Sequence, residues 1–363
     1  MSAIGRNNKH TRGDASRDAD IPARGSSAEH RSASISDVAK AADVSIATVS
    51  RVLNTPGLVS ADTTQRVRDA IAALGFRPNL FARGLMTRQS RVIGLSVPDL
   101  HGEFYSAILR AADARARAAG YHLLVSTETR GHHAEDQYMP LGLLDGLAMM
   151  ITEPSEKLVT HARASGVPIV LLDADPKELN VDAVEVDNTV GTAEATNHLL
   201  EYAPPNYCVF VGGPAENFDT IQRSAAFSAV LANHSGSTDP SPCFFGEYSV
   251  NWGRAWASQM IRDGHLRGRG VLAGNDEIAW GIMTAAHEAG LHVPSDLRVI
   301  GFDDTRLCTL VRPALSSVRV PLAELGSAAI DLLLARIGNP QLAPERRRLR
   351  TSLVIRQSSR PQA

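Results

Sequence analysis

Five polar or aromatic side chains in the last two thirds of the sequence stand where they could bind a small ligand. Asp173 follows the apolar run PIVLL, Asn275 follows GVLAG, and Asp303 follows VIGF. Arg223 lies in the helical stretch TIQRSAAF, and Tyr248 ends the stretch FFGEY. Carboxylates, an amide, a guanidinium and an aromatic ring together suit a polyhydroxylated ligand. Asn275 has the alternative role of capping the helix that follows it.

Three further candidates for the same site follow the first two strand-like runs of this region. His101 and Phe104 lie in PDLHGEFY, directly after VIGLSV, and Arg130 follows LLVSTET. His132 and His133 raise the alternative of a metal site, but no other ligand stands at a useful spacing from them. The sequence therefore predicts an organic ligand, with no metal ion and no cofactor.

The stretch VSIATVSRVLN, residues 44–54, suggests a second kind of chemistry. On a helix, Thr48, Val49, Val52 and Leu53 fall on one arc that can pack on a core, whereas the opposite arc carries small or polar groups. A helix this slim fits the major groove of DNA, which is about 12 Å wide. The candidate DNA-binding side chains are Ser45, Ile46, Ala47, Ser50, Arg51 and Asn54.

Each type of side chain on that arc has a known partner in DNA. Arg51 can reach a guanine edge or a phosphate, and Ile46 and Ala47 can touch thymine methyl groups. Ser45 and Ser50 suit phosphate oxygens, although Ser45 can also cap its own helix. The alternative is a small three-helix bundle that contacts another protein.

The elements around this helix are predicted by helix-end signals. Ser34 and Asp37 fit a capping box that starts a short helix through Ala42, and a third helix runs from near Ser60 to Gly75. Residues 1–33 have no periodicity, which predicts a disordered tail. Residues 32–91 hold eight Lys or Arg against four Asp or Glu, whereas the whole chain has a net charge of −2. A basic N-terminal region followed by an acidic remainder of the chain is consistent with a polyanionic partner.

From residue 92 onward, short apolar runs alternate with helical stretches. VIGLSV, YHLLVS, LAMMI and PIVLLD form one series, and NYCVFVGG, GVLAGND, DLRVIGFDD and SSVRV form a second. Such alternation predicts parallel sheets with helices on both faces. Because ligands bind beyond the carboxyl ends of strands in open α/β sheets, the candidate residues named above should meet in one cleft.

The segments ISDVAKAADVSIATVSRVLN and VSADTTQRVRDAIAALGFRPNLFARGL resemble the headpiece of the lactose/galactose-repressor (LacI/GalR) family, and the likeness extends from about residue 34 to the C terminus. The resemblance implies an all-α helix-turn-helix headpiece followed by an α/β periplasmic-binding-protein-like core of two parallel-sheet lobes. The implied divisions are a tail (1–33), a headpiece (34–76), a hinge helix and linker (77–91), a first lobe (92–190 with 316–340) and a second lobe (191–315 with 341–363).

The resemblance also assigns a role to RPNLFARGLM. Asn79, Ala82 and Leu85 fall in the hinge helix of the family, and Leu85 matches the leucine that enters the minor groove. An apolar wedge can unstack one base step at a cost of about a few kcal/mol, which new contacts offset. Two hinges from a homodimer would meet at the centre of a pseudo-palindromic operator. The alternative for Leu85 is a linker leucine that packs on the core.

The family implies a sequence-specific transcriptional regulator, preferably a repressor, whose operator affinity is changed by a sugar or polyol. A nucleoside or nucleobase is the alternative ligand, and a sugar-binding protein with no DNA role is a more distant alternative. The sequence HGEFY departs from the SNPFF-like residues usual in the family, so the ligand cannot be named from relatives.

Other classes of protein are not favoured. The sequence has no Walker loop, no G-x-S-x-G, and no G-x-G-x-x-G after a strand, which argues against an enzyme. No apolar run reaches the roughly 18 residues that span a bilayer, and no export signal stands at the front, which argues against a membrane protein or a secreted solute receptor. Three widely spaced cysteines fit a cytoplasmic protein. No apolar heptads follow TSLVIRQSS, which favours a dimer over a tetramer.

Overall fold

The computed structural model describes residues 33–77, 89–100, 102–127, 140–150, 164–173, 180–236 and 242–360. The chain divides near residue 79 into two compact units. We call the described part of the first unit the headpiece (33–77) and that of the second unit the core (89–360). The tail, most of the hinge, and the candidates His101 and Arg130 lie outside the described residues.

The headpiece consists of three helices: α1 (Ile35–Ala41), α2 (Ile46–Asn54) and α3 (Ala61–Leu74). The predicted capping box is present, because Asp37 N–H donates to Ser34 Oγ (3.3 Å) and Ser34 N–H donates to Asp37 Oδ2 (2.9 Å). Ser60 caps α3, and Gly75 ends it with a φ of 59°. The helices enclose a small core of Val38, Ala39, Ala42, Val49, Val52, Val67 and Ala70.

The core contains two six-stranded sheets. The first has the order β11-β5-β4-β3-β1-β2, and all its strands are parallel. Its strands are β1 (Val92–Val97), β2 (His122–Thr127), β3 (Gly146–Met150), β4 (Ile169–Leu172), β5 (Asp182–Asp187) and β11 (Arg346–Arg350). Helices α4 (Gly102–Ala118) and α10 (Leu322–Gly338) pack on this sheet and on each other. We call this assembly the first lobe.

The second sheet has the order β12-β10-β9-β8-β6-β7, with β12 antiparallel to β10 and the other pairs parallel. Its strands are β6 (Cys208–Gly212), β7 (Cys243–Phe245), β8 (Gly270–Ala273), β9 (Arg298–Asp303), β10 (Ser316–Arg319) and β12 (Ser352–Val354). Its helices are α5 (Asn188–Leu200), α6 (Phe218–Ser235), α7 (Val250–Arg262), α8 (Asp276–Glu288) and α9 (Leu307–Leu310). We call this assembly the second lobe.

These sheets explain the apolar runs of the sequence. Strands β3, β4, β6 and β8 are buried at every position, as expected when helices cover both faces of a parallel sheet. The predicted fold class, a helix-turn-helix headpiece with a two-lobed α/β core, is confirmed, and the antiparallel strand β12 is an addition to it.

The helices of the second lobe are fixed by caps and by close packing. Asn217 and Ser249 accept from backbone N–H groups at the starts of α6 and α7. A Cβ atom at Gly281 would lie 2.1 Å from the carbonyl oxygen of Val250, so α7 and α8 can approach this closely only because the residue is glycine. The packing holds the N terminus of α8 firmly at the edge of the second sheet.

The chain connects the lobes three times, between β5 and α5, between β10 and α10, and between β11 and β12. The expected division assigned 316–340 to the first lobe and 341–363 to the second. The structure corrects this division in two places. Strand β10 belongs to the second lobe because it pairs with β9, and strand β11 belongs to the first lobe because it pairs with β5. The physical reason is that pairing uses backbone groups, so a strand as polar as RRRLR gives no apolar signal of its sheet. No helix in the described ranges is both long and apolar enough to cross a membrane.

Candidate functional site

The first candidate site is the outer face of α2 in the headpiece. Val49 and Val52 are buried and Leu53 packs against them, as the helical arc predicts. Ser45, Ala47 and Arg51 are exposed, and Ser50 is half-buried. Ile46 is 50% exposed, although a large apolar side chain gains free energy by burial. The face therefore presents a cation and an apolar group to whatever binds there.

Ser45 is engaged in local structure. Its hydroxyl accepts from Thr48 N–H (3.1 Å) and lies 2.9 Å from Thr48 Oγ1, so it caps α2. A phosphate would therefore meet a hydroxyl whose position is already fixed by the cap. For Asn54 only the backbone is described, as the last residue of α2.

The second candidate site lies in the core, where the lobes meet around Arg223. This side chain is 3% exposed and lies in α6 of the second lobe. Its Nε donates to Asn188 Oδ1 (2.8 Å), its Nη1 donates to the carbonyl oxygen of Gly274 (2.8 Å), and its Nη2 lies 3.4 Å from Asp219 Oδ2. The guanidinium carbon also lies 3.8 Å from the centre of the Phe302 ring. Arg223 is thus held rigidly in place.

Two carboxylates reach this region from opposite lobes. Asp173 follows β4 of the first lobe and Asp303 ends β9 of the second, and each is 6% exposed. Burial raises the pKa of Asp173 well above its usual value, and Asp219 raises it further while Arg223 opposes the change. Burial likewise raises the pKa of Asp303, with Arg223 again opposing. These mutual influences place Asp173, Asp219, Asp303 and Arg223 in one electrostatic cluster.

Two tyrosines belong to the same cluster. Tyr248 Oη lies 2.7 Å from Thr220 Oγ1 and donates to Asn217 Oδ1 (3.2 Å), which holds its ring beside Arg223. Burial, together with Asp99, Asp303 and the other cluster carboxylates, raises the pKa of Tyr105 to about 12. Tyr105 lies in α4, so it brings an aromatic ring from the first lobe to carboxylates of the second.

The structure therefore brings together four of the predicted ligand residues: Asp173, Arg223, Tyr248 and Asp303. Asn275 is next in sequence to Gly274, whose carbonyl oxygen accepts from Arg223. The Oδ1 atom of Asn275 accepts from Ile278 N–H (2.9 Å), so this residue caps α8, which is the alternative role given for it above. Phe104 lies in the first turn of α4, with its ring centre 5.1 Å from that of Tyr105.

Three residues of the cluster were missed from the sequence: Asn188, Asp219 and Tyr105. Asn188 donates to Asp219 Oδ1 (2.8 Å) and to Gln222 Oε1 (3.0 Å). It directly follows β5, so the rule that polar residues follow strands could have found it. Asp219 stands four residues before Arg223 on the same helix, a spacing that favours ion pairs.

Asp276, next to Asn275, has a structural role. Its carboxylate accepts from Thr305 N–H (2.8 Å), Thr305 Oγ1 (2.8 Å) and Ser317 Oγ (2.6 Å), which ties α8 to the ends of β9 and β10. Burial raises its pKa to about 6, while the hydrogen bonds from Ser317 and Thr305 oppose the rise. The lobes also touch at Glu103, whose Oε2 accepts from Leu307 N–H (3.2 Å).

Comparison with known protein families gives two matches. Residues 34–79 match the family described as bacterial regulatory proteins, lacI family. Residues 206–359 match the periplasmic binding protein-like domain. The first match covers the headpiece, and the second covers most of the second lobe together with α10 and β11 of the first lobe.

The chain is also similar to characterised proteins over most of its length. It is 30% identical to catabolite control protein A of Priestia megaterium, over 82% of this chain and 91% of that protein. It is 31% identical to the ribose operon repressor of Escherichia coli K12, over 90% of this chain and 100% of that protein. The lac repressor dimer bound to operator and the anti-inducer ONPF superposes with a TM-score of 0.79 and 27% identity, over 91% and 99% of the two chains.

Proposed function

This chain belongs to the lacI family of bacterial regulatory proteins, and from that premise we propose that it is a homodimeric repressor whose operator affinity is changed by a sugar or polyol bound between its lobes. The observation that carries the proposal is the cluster around Arg223, where side chains of both lobes converge. The same chain also carries α2, a helix with an exposed basic and apolar face. The first site can read DNA and the second can sense a ligand.

On the DNA side, α2 enters the major groove. Arg51 contacts a guanine edge, while Ile46 and Ala47 contact thymine methyl groups. Ser50 and Asn54 contact the backbone or a base edge, and Ser45 orients the helix by capping it. Burial of the exposed part of Ile46 against a methyl group removes apolar surface from water, which favours the bound state.

The hinge residues Asn79, Ala82 and Leu85 lie outside the described residues, and their role follows from family membership. Leu85 enters the minor groove at the centre of a pseudo-palindrome, where the hinges of two protomers meet. The lac repressor, to which this chain is similar, was solved as a dimer on its operator, which supports the same assembly here.

On the ligand side, Asp173 and Asp303 accept hydrogen bonds from hydroxyl groups, and the Tyr248 and Tyr105 rings cover an apolar face of the sugar. Arg223 orients the carboxylates. His101, Phe104, Arg130 and Asn275 complete the lining. The similarity to a ribose operon repressor supports a ligand of the sugar class.

The two sites are coupled through the arrangement of the lobes. Only a ligand that binds one arrangement better than another can change DNA affinity, and a coupling of about 1–3 kcal/mol corresponds to roughly 5- to 150-fold. Asp173 belongs to the first lobe and Asp303 to the second, so a ligand that bridges them favours the closed cleft. We infer that the protein acts in the cytoplasm, where a bacterial repressor meets its operator.

One experiment tests both sites. Bound sequences are selected from a random duplex pool by the full-length protein, with and without a panel of sugars, polyols and nucleosides. A pseudo-palindromic motif whose recovery changes with a sugar or polyol supports the proposal. Equal weak binding to every duplex, whatever ligand is added, contradicts it.

A further inference from the structure

A single carboxylate, that of Asp145, holds the residues at which the chain enters the core. Its Oδ1 accepts from Ser90 N–H (2.7 Å) and from Ser90 Oγ–H (2.9 Å), and its Oδ2 accepts from Arg91 N–H (3.0 Å). The backbone N–H of Asp145 in turn donates to the carbonyl oxygen of Val92 (2.9 Å). These hydrogen bonds join residues 90–92 to the start of β3, and we call them the anchor.

Arg91 has an unusual backbone conformation at the anchor. Its φ is 57°, in the left-handed region that a residue with a Cβ rarely adopts. Successive N–H groups beside such a residue can converge on an anion, and here they converge on the carboxylate of Asp145. The carbonyl oxygen of Arg91 accepts from His122 N–H (2.8 Å), and its guanidinium carbon lies 5.1 Å from the centre of the buried Tyr121 ring. Strain of this kind is maintained where the surrounding structure fixes it, and it is frequent at functional positions.

The strand that follows Asp145 is packed tightly into the first lobe. Strand β3 is buried at every position, and a Cβ atom at Gly146 would lie 2.8 Å from side-chain atoms of Leu333 in α10. Strand β3 pairs with β1 and with β4, and Asp173 directly follows β4. The anchor thus lies at the amino ends of these strands and the candidate cleft at their carboxyl ends, about 17 Å away at about 3.3 Å per residue of β3. Because the interior is close-packed, both ends of the sheet move together.

The position of the anchor in the sequence gives it a mechanical consequence. The expected hinge and linker end at residue 91, and the described part of the core begins at residue 89. With the anchor formed, a movement of the first lobe is transmitted directly to the chain at Ser90. Without it, residues 89–91 would lengthen the linker by up to about 10 Å, at about 3.3–3.6 Å per extended residue. That slack equals about three base-pair steps of DNA, each about 3.4 Å, so it would loosen the placement of the hinge on an operator.

We propose that Asp145 is a positioning residue for operator recognition, because it fixes the point at which the hinge segment leaves the first lobe. The proposal rests on the proposed function in taking the chain as an operator-binding regulator, and it assigns a role to a residue outside both candidate sites. A carboxylate suits this role because both of its oxygens accept hydrogen bonds, whereas an amide would turn an NH2 group toward one of the donors. The competing role is that of a local cap, which stabilises the first lobe without affecting recognition.

The first test measures DNA binding by the full-length protein and by Asp145→Asn. The operator duplex is the motif that the unmodified protein selects, and a scrambled duplex of the same composition measures nonspecific binding. Asp145→Asn should weaken operator binding at least about tenfold, because the released residues must be ordered again on the operator at a cost in conformational entropy. Binding to the scrambled duplex depends on phosphate contacts and should change by less than about twofold. Ser90→Ala removes one of the donors, so it should weaken operator binding by about threefold.

The matched control is Asp331→Asn, the same change at a carboxylate of the first lobe that pairs with Arg115 between α10 and α4. This variant removes an ion pair of the lobe and leaves the anchor intact, so it should bind both duplexes as the unmodified protein does. Melting temperatures confirm that each variant folds, and Ser90→Ala decides the test if Asp145→Asn does not fold. An equal loss of operator affinity in Asp331→Asn would mean that the stability of the lobe is responsible, and it overturns the positioning role.

Hydrogen exchange tests the anchor in the absence of DNA. Asp145→Asn should accelerate exchange of the amides of residues 90–92 at least about tenfold, whereas the amides of Ala148 and Met149 in β3 should keep their protection. Unchanged exchange at residues 90–92 shows that Asp145 does not hold them, which overturns the proposal. Faster exchange with an unchanged ratio of operator to scrambled-duplex affinity also overturns it, because Asp145 is then only a local cap.

The selection step separates this proposal from the proposed function. An unmodified protein that selects no DNA motif refutes the regulator and the positioning role together. An unmodified protein that selects a motif, which Asp145→Asn and Ser90→Ala then bind equally well, refutes the positioning role and leaves the regulator intact.

Discussion

The side chains proposed to read DNA are exposed on one helix, whereas those proposed to bind the ligand are buried between two lobes. On α2 the polar and apolar groups face outward and the helix is stabilised by its own cap, Ser45. Around Arg223 the polar groups depend on partners that are distant in sequence, such as Asn188 and Gly274. The comparison indicates that mutations on α2 should change recognition with little effect on stability, whereas mutations in the cleft should change both.

The largest expected effect comes from Arg223→Met, which leaves buried carboxylates without their cation. Removing one partner of a buried ion pair lowers the free energy of unfolding by about 3–5 kcal/mol, because the other charge stays buried without its partner. We expect the core to unfold at markedly lower denaturant concentration and the ligand response to be lost. Chemical denaturation measures the first effect. Arg254→Met is the matched control, because Arg254 pairs with Glu288 at the surface, where such pairs contribute about 0–1 kcal/mol. Similar losses in both variants would contradict the distinction between cleft and surface.

The next effect concerns pH. Asp276 has a pKa of about 6 in the folded core against an ordinary value of 3.8, because burial disfavours its charged form. A raised carboxyl pKa means that the folded state is penalised above pH 6 and relieved as the pH falls toward 4. The shift is worth on the order of 3 kcal/mol. The free energy of unfolding of the unmodified protein, measured relative to that of Asp276→Asn, should therefore rise between pH 7.5 and pH 4.5. A relative stability that falls over this range would show that the carboxyl is held ionised instead.

A change on α2 should alter recognition instead. Arg51→Ala should weaken operator binding by about 1–3 kcal/mol and relax base preference at one position in each half-site, since it removes a contact to a base edge. Selection of bound sequences measures the preference. Arg68→Ala removes a second exposed arginine of the headpiece from α3 and should leave the selected motif unchanged. If the motif is unaltered in Arg51→Ala, the arginine contacts only phosphates.

The smallest effect tests the cap of α2. Ser45→Ala removes the acceptor for Thr48 N–H and should destabilise the helix by about 1 kcal/mol. Hydrogen exchange of the α2 amides in the full-length protein should accelerate by about fivefold, whereas amides of α8 in the core should be unaffected. Ser45→Asn retains a capping oxygen and should restore most of the protection. Equal exchange in the alanine variant would mean that packing alone holds this helix.

The two sites also differ in how far the sequence predicts them. On α2 the helical arc assigned Val49 and Val52 to the core and Ile46 and Arg51 to the outside, because a helix is local and its faces repeat regularly. In the cleft, strand ends identified Asp173 and Asp303 but not the partners of Arg223. Asn188 and Asp219 are 35 and four residues from it, and only the folded core brings all three into contact.

The lobe boundaries follow the same principle. The sequence RRRLR has one buried residue, Leu349. Its pairing with β5 depends on backbone hydrogen bonds, which cannot be predicted from the types of its side chains. Likewise SSVRV, residues 316–320, reads as a strand but carries no signal that it belongs to the second sheet. Strand identity is encoded locally, whereas strand neighbours depend on the complete chain.

The third connection between the lobes has a consequence for biosynthesis. Residues 346–350 complete the sheet of the first lobe and residues 352–354 that of the second, while Ser358 Oγ donates to the carbonyl oxygen of Val299 (2.6 Å) within the second lobe. Each sheet acquires this edge strand only after the ribosome has released these residues. A nascent chain stalled before residue 346 leaves β5 and β10 as the unpaired edge strands of the two sheets, which favours binding by chaperones. A premature stop codon there would therefore yield an aggregating fragment rather than a ligand-blind repressor.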